Sequence, residues 1–217
     1  MTEIFLAPPI SRPTELHYLA LGDSYTIGEG VAESGRWPAQ LAKALRADGI
    51  PIADPKIIAQ TGWTTGELDA AIDAVHPLAE YDLVSLLIGV NNQYRGLGVD
   101  EYRAQFSALL ERATGFAQGR RDRVLVLSIP DWGVTPFAGR ELRSAARIAE
   151  EIDAYNRAAQ EACVQRAIAF IDITAISRAR GAEPGMLVED DLHPSTAMHA
   201  EWTRLALPSA RTLLAPR

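Results

Sequence analysis

Five short apolar segments, each followed by a polar turn, recur along the chain. They cover residues 18–21, 56–60, 83–88, 124–129 and 169–173. Apolar runs of this length that end at glycine or polar residues are typical of buried strands. The third segment is the clearest, because Ser85 is its only polar residue. A strand without alternation between polar and apolar positions is expected where both faces of a sheet are covered.

Helical spacing of apolar residues fills the intervals between these segments. It predicts helices over 37–47, 67–75, 100–114 and 139–166, and a last helix from Ser195 or Thr196 to 214. Thr64 or Thr65 is expected to cap the second helix, and Pro77 to follow its end. Strands that alternate with helices form a parallel sheet covered on both faces. We therefore predict an α/β fold with a five-stranded parallel sheet.

The first residues of the turns after the strands carry the candidate chemistry. Gly22, Asp23 and Ser24 follow the first segment, Gly62 the second, Asn91 the third and Trp132 the fourth. Because the carboxyl ends of parallel strands meet at one edge of the sheet, these residues should gather there.

Composition limits the class of protein. The chain has 217 residues, 47% of them hydrophobic, which suffices for the core of one domain over 1–217; the three prolines within 1–15 suggest an extended arm. The net charge of −7 argues against a nucleic-acid surface. Cys163 is the only cysteine, so no intrachain disulfide can form.

The start of the chain does not resemble a secretory signal, because it lacks a basic region and prolines interrupt its apolar run. No apolar stretch approaches the roughly 20 residues that span a bilayer. We therefore expect a cytoplasmic protein without stable membrane insertion. The sequence leaves the oligomeric state open.

Nucleophilic acyl transfer requires a nucleophile, a base, a group that orients the base and donors for the oxyanion. Ser24 is the candidate nucleophile. Of the four histidines, His17 enters the first strand at its opposite end, His76 ends a helix and His199 lies within the last helix. His193 is then the candidate base, because it alone stands in a loop at the expected edge.

Asp190, three residues before His193, can fold back onto the imidazole and fix its tautomer. Asp191 is the alternative, and spacing favours Asp190. The backbone N–H groups of Ser24 and Gly62 and the side-chain amide of Asn91 are candidate oxyanion donors.

These blocks resemble the SGNH hydrolase superfamily, the GDSL-type esterases and lipases. The resemblance lies in Gly22-Asp23-Ser24, Gly62, Gly89-Val90-Asn91 and Asp190-Asp191-Leu192-His193, in that order. It implies a three-layer α/β/α flavodoxin-like fold, a Ser24–His193–Asp190 triad and an oxyanion hole of Ser24, Gly62 and Asn91, with no metal or organic cofactor. The third block often ends in Asp, whereas Asn92 stands here, and this change affects the hydrogen bonds expected to support Asn91.

The function expected from this resemblance is hydrolysis of small carboxylic esters. Thioesters, lysophospholipids and acetylated carbohydrates are alternative substrates of the same fold. Trp63, Trp132 and Tyr25 are candidate walls of the substrate pocket, and Arg95 lies near the same turns.

Two hypotheses of other classes use the same residues. Asp190, Asp191, His193 and His199 could bind a divalent metal in a hydrolase. Alternatively, the chain is a non-catalytic ligand-binding module in which Ser24 holds a phosphate, although neither nucleotide-binding glycine motif is present.

Overall fold

A five-stranded, entirely parallel sheet forms the centre of the molecule. The computed structural model describes residues 15–75 and 80–215. The strands are β1 (Tyr18–Gly22), β2 (Lys56–Ala59), β3 (Leu83–Leu87), β4 (Val124–Leu127) and β5 (Ala169–Ile171), in the order β2-β1-β3-β4-β5. All five predicted strands are confirmed. The proposed arm, except its last residue, lies outside the described residues, as do His76 and Pro77.

Eight α-helices accompany the strands within the described residues; six lie between successive strands, and the last two follow β5. They are α1 (Ser24–Ile27), α2 (Trp37–Ala47), α3 (Thr65–Ala74), α4 (Val90–Tyr94), α5 (Val99–Phe116), α6 (Ala145–Gln165), α7 (Thr174–Arg180) and α8 (Thr196–Leu214). Thr64 caps α3 in a capping box with Glu67, and Ser195 caps α8. One of the two alternatives predicted for each cap is thus the observed one.

Helices cover both faces of the sheet and give three layers. Helices α2 and α8 pack together on one face, and α3, α5 and α6 pack on the other. Every residue of β1, β3 and β4 is buried, which explains why these strands read as continuous apolar runs. The three-layer α/β fold predicted from the sequence is confirmed.

Three helices were not predicted. Helices α1, α4 and α7 span four, five and seven residues, too few to show an apolar period. The predicted helix over 139–166 begins only at Ala145, where Ser144 provides the N-cap. The predicted start was therefore wrong: Leu142, an apolar residue within the predicted range, precedes the helix, and its side chain is fully exposed.

The turn from β1 into α1 brings the backbone of Gly22 against two neighbours. Gly22 pairs with Leu87 of β3 and with Ala59 of β2. A Cβ atom at this position would overlap the Leu87 carbonyl oxygen and the Thr26 hydroxyl. Only glycine allows α1 to begin this close to the neighbouring strand.

We expect Gly22→Ala to lower the free energy of unfolding by about 1–3 kcal/mol or more. The reason is that the Leu87 backbone carbonyl cannot move aside as a flexible side chain can. Urea denaturation followed by circular dichroism measures the change. The control is Gly115→Ala, where the new methyl group meets open space within a helix and should stabilise by up to about 1 kcal/mol. Equal stability of Gly22→Ala and the wild type would contradict this account of the turn.

Candidate active site

A cleft of about 220 Å³ lies at the carboxyl edge of the sheet. The strand order reverses between β1 and β3, and such a switch point is where open α/β sheets bind ligands. Residues that follow each of the five strands line the cleft: Ser24, Tyr25, Thr61, Gly62, Val90, Asn91, Tyr94, Trp132, Phe137, Leu192 and His193. The structure thus brings Ser24, Gly62, Asn91 and His193 together, as the sequence predicts.

Ser24 begins helix α1 directly after β1. Asp23 is the N-cap, and its Oδ1 accepts a hydrogen bond from the Tyr25 N–H at 3.0 Å. As the first helical residue, Ser24 has an N–H group with no acceptor inside the helix. The turn therefore presents both the hydroxyl and the N–H of one residue near the cleft.

The Asp23 carboxyl beside this turn is fully buried. Burial raises the pKa of Asp23 to about 7, although hydrogen bonds from the backbone N–H groups of Tyr25 and Gly89 oppose the shift. Burial also raises the pKa of Tyr25, and the negative charges of Asp23, Asp131 and Asp190 add to this effect. Tyr25 is therefore a neutral phenol and cannot serve as a base.

His193 and Asp190 form a hydrogen-bonded pair. The distance from His193 Nδ1 to Asp190 Oδ2 is 2.6 Å, and Asp190 Oδ1 accepts from the N–H groups of Leu192 and His193, each at 2.8 Å. Partial burial opposes ionisation of Asp190, but the bonds from His193 and Leu192 outweigh it and lower the pKa of this carboxyl. An ionised Asp190 holds the proton on Nδ1 and leaves Nε2 as the free acceptor.

Asp191, the alternative partner of His193, has a different contact. Its Oδ2 binds Arg140 Nη1 at 3.1 Å, and its carbonyl oxygen accepts from the Phe137 N–H. Asp191 thus ties the loop before α8 to the segment that carries Phe137.

Gly62 and Asn91 lie on two loops that bind each other. Asn91 Nδ2 donates to the Trp63 carbonyl oxygen at 2.9 Å, which fixes the plane of the amide and leaves its second N–H available. Arg95 Nη2 donates to the Gly62 carbonyl oxygen at 2.6 Å. Gly62 has a φ of +88°, a left-handed conformation that glycine adopts without strain.

Aromatic rings form one wall of the cleft. The rings of Tyr94 and Trp132 lie 5.5 Å apart between centroids, and those of Trp132 and Phe137 lie 6.1 Å apart. The Trp132 indole donates to Gln93 Oε1 at 2.8 Å, so this ring is held in a fixed orientation. Of the predicted walls of the pocket, Trp132 and Tyr25 line the cleft and Trp63 does not. The Trp63 carbonyl oxygen instead accepts from Asn91, and Arg95 donates to the Gly62 carbonyl oxygen.

Five lining residues were not among the predicted walls or site residues: Thr61, Val90, Tyr94, Phe137 and Leu192. Phe137 lies in the long connection between β4 and α6, and its N–H donates to the Asp191 carbonyl oxygen, a contact between distant segments. Site residues were predicted from their position directly after a strand. This criterion selects Asn91 at the start of α4 and misses Tyr94 at the end of the same helix.

The remaining described histidines lie apart from this cleft. His17 is exposed at the start of β1. His199 is fully buried, and its Nδ1 accepts from the Trp37 N–H at 3.2 Å. Of the four residues of the metal hypothesis, Asp190 and His193 bind each other, whereas Asp191 binds Arg140 and His199 accepts from Trp37. The described part of the chain holds no group of three or more potential metal-binding side chains.

No helix within residues 15–75 and 80–215 is long and apolar enough to cross a bilayer.

A seryl hydroxyl and a carboxylate-bound imidazole on one cleft of a parallel α/β sheet place the chain among enzymes that hydrolyse esters. Residues 20–201 match the model of the GDSL-like lipase/acylhydrolase family, so the chain belongs to this family. It is a carboxylic ester hydrolase. No curated protein matches the chain.

Solved structures share this fold. TesA superposes with a TM-score of 0.71 at 22% identity, covering 91% of this chain and 99% of TesA. The psychrotrophic esterase EstA from Pseudoalteromonas sp. has a TM-score of 0.69 at 16% identity, with coverage of 92% and 99%. Axe2, an acetylxylan esterase from Geobacillus stearothermophilus, has a TM-score of 0.67 at 20% identity, with coverage of 93% and 95%.

Burial of His199 predicts an acid-sensitive fold. Burial lowers the pKa of His199 to about 3 from an ordinary value of 6.5, and the nearby His193 adds to the shift. The unfolded chain therefore takes up a proton that the folded chain rejects. This group therefore does not lower the free energy of unfolding above pH 6.5. Between pH 6.5 and about 3, protonation of the unfolded chain makes the free energy of unfolding fall as the pH falls.

We expect His199→Asn to remove this dependence, since the amide oxygen can still accept from Trp37. The free energy of unfolding of the wild type should fall relative to the variant by about 1.4 kcal/mol per pH unit in that interval. Urea denaturation at a series of pH values measures it, with the difference at pH 8 as reference. Parallel profiles for the two proteins would contradict the prediction.

Proposed function

We propose that the protein hydrolyses small carboxylic esters through an acyl-enzyme formed on Ser24. The observation that carries this proposal is the 2.6 Å bond between His193 Nδ1 and Asp190, on a loop that lines the same cleft as Ser24. This bond leaves Nε2 of His193 to accept a proton.

In the first step, His193 Nε2 takes the proton of the Ser24 hydroxyl as its oxygen attacks the ester carbonyl carbon. The carbonyl double bond opens into a tetrahedral anion, and Asp190 stabilises the imidazolium that forms. The anion then collapses, the bond to the alcohol oxygen breaks, and His193 returns the proton to the leaving alcohol.

The tetrahedral anion is held by the N–H groups of Ser24 and Gly62 and by the Asn91 amide. Preorganised donors of this kind stabilise charge that appears only in the transition state, and one donor contributes roughly 100- to 1,000-fold in kcat. The bond from Asn91 to Trp63 supports this role, because it fixes the amide before substrate binds.

In the second step, His193 Nε2 takes a proton from water as the water oxygen attacks the acyl carbonyl carbon. The bond from that carbon to Ser24 Oγ then breaks, the acid leaves, and His193 returns the proton to Ser24. Both steps draw on protein side chains and water alone, so the proposal needs no metal or organic cofactor.

The size and lining of the cleft support a small acyl group. Sites for drug-sized ligands occupy roughly 300–1,000 Å³, and this cleft is smaller, at about 220 Å³. The names of the neighbours EstA and Axe2, an esterase and an acetylxylan esterase, agree with this substrate class. Esters of long acyl chains and thioesters are the alternatives that a substrate panel distinguishes.

A serine-directed sulfonyl fluoride should attach once, at Ser24, because the hydroxyl that His193 activates is the most nucleophilic in the chain. Intact-mass and peptide mass spectrometry measure the adduct. Ser24→Ala should gain none and should lose roughly 1,000- to 1,000,000-fold in kcat.

Ser34→Ala is the matched control, since Ser34 is an exposed serine outside the cleft, and this variant should label as the wild type does. Failure of the wild type to label, together with no ester hydrolysis, would instead favour a ligand-binding module.

Phe137→Ala should widen the range of acyl groups. We expect the wild type to prefer acetyl to butyryl esters in a panel of p-nitrophenyl esters from acetate to palmitate. Removing the Phe137 ring extends the cleft, so kcat/KM for the octanoate should rise about tenfold relative to the acetate. Leu142→Ala, in the same segment but fully exposed, should leave the ratio unchanged. If Phe137→Ala leaves the octanoate-to-acetate ratio of kcat/KM unchanged, the Phe137 ring does not limit the length of the acyl group.

A further inference from the structure

We propose that Asn92 is the positioning residue of the oxyanion hole, and that it serves this purpose in this chain only as an amide. The inference rests on the proposed function of Gly62 and Asn91. It concerns the residue after Asn91, where the resembling family often has Asp.

Asn92 clamps Thr65 from two sides. Thr65 N–H donates to Asn92 Oδ1 at 3.0 Å, and Asn92 Nδ2 donates to Thr65 Oγ1 at 2.7 Å. Both residues are fully buried, so water does not replace either bond. The Thr65 hydroxyl in turn donates to Gln105 Oε1, and Gln105 Nε2 donates to Glu101 at 2.9 Å.

The direction of these bonds is fixed. The Thr65 N–H can only donate, so it requires the oxygen of Asn92, and the nitrogen of Asn92 must then face the Thr65 hydroxyl. That hydroxyl accepts from Asn92 and uses its own hydrogen for Gln105. The network therefore runs in one sense from Asn92 to Glu101.

This clamp joins the two loops that carry the proposed donors. Asn92 follows Asn91 on α4, and Thr65 begins α3 directly after the loop of Gly62. Asn91 Nδ2 binds the Trp63 carbonyl, and Arg95 binds the Gly62 carbonyl, so the same two segments are also linked nearer the cleft. Asn92 holds the buried end of this unit and thereby sets the position of Gly62 relative to Asn91.

A carboxylate at position 92 could not make the same bonds. Both of its oxygens accept, so the Thr65 hydroxyl would turn to donate to it, and Gln105 Oε1 would lose its donor. An ionised carboxylate without exposure to water also carries a large desolvation cost. The amide is thus required by the donors and acceptors around Thr65.

Asn92→Asp tests the proposal. At pH 8 we expect kcat for p-nitrophenyl acetate to fall roughly 10- to 100-fold with KM little changed, since displaced donors weaken transition-state binding more than substrate binding. The wild type measured in parallel provides the reference.

The pH dependence supplies a signature that a general loss of structure would not. A protonated carboxyl accepts the Thr65 N–H on one oxygen and donates to the hydroxyl from the other, as the amide does. The kcat of the variant as a fraction of the wild-type kcat should therefore rise as the pH falls. The charged groups beside this network are Glu101, bound by Gln105, and the Glu67–Arg95 pair next to Thr64.

Asn156→Asp is the matched control. Asn156, in α6, also clamps another segment through both atoms of its amide: it accepts from the Ile129 N–H at 2.7 Å and donates to the Ile129 carbonyl oxygen at 3.0 Å. We expect this variant to lose stability and to keep its kcat.

A second pair of variants covers the case in which Asn92→Asp fails to fold. Thr65→Val removes the hydroxyl at constant size and should lower kcat, whereas Thr65→Ser keeps the network and should retain it. Wild-type kcat in Asn92→Asp at pH 8, or in Thr65→Val, would overturn the proposal. Because Ser24→Ala tests the nucleophile separately, such a result with an inactive Ser24→Ala would refute the role of Asn92 alone.

Discussion

The close approach of Gly22 to strand β3 is the contact on which the arrangement of the cleft depends. Because Gly22 has no side chain, its backbone can lie against the Leu87 carbonyl oxygen. Helix α1 can therefore begin directly where β1 ends, at the edge of the sheet. Ser24 therefore stands at the reversal of strand order, beside the residues that follow β3. Backbone geometry, rather than any attraction between the proposed reacting groups, brings Ser24 and Asn91 to one edge.

Much of the architecture could be predicted from the sequence, for identifiable reasons. Strand β3 is buried on both faces, so all of its residues except Ser85 are apolar. Helix α2 is amphipathic because Trp37, Leu41 and Leu45 face the core. Helices α1, α4 and α7 could not be predicted, since one or two turns show no period. The start of α6 was placed too early because exposed Leu142 happens to continue its apolar spacing.

In the candidate site, some residues could be predicted from the sequence, whereas the contacts that orient them could not. Residues that follow strands directly, such as Ser24 and Asn91, could be found by position, and Asp190 by its spacing from His193. The Asn91–Trp63 and Arg140–Asp191 bonds join segments distant in sequence, and so does the bond from the Phe137 N–H to the Asp191 carbonyl oxygen. Buried amides that bind backbone groups, such as Asn92, give no signal in apolar patterning.

The packing of α8 against α2 has a consequence for how the enzyme matures. His193 lies immediately before α8, while Ser24 belongs to the first strand connection, and the Thr203 hydroxyl donates to the Trp37 carbonyl at the junction of the two helices. The proposed base therefore reaches the proposed nucleophile only once the last helix has docked. Until this helix has docked during folding, the serine stands without its proposed partner, and the candidate site is incomplete.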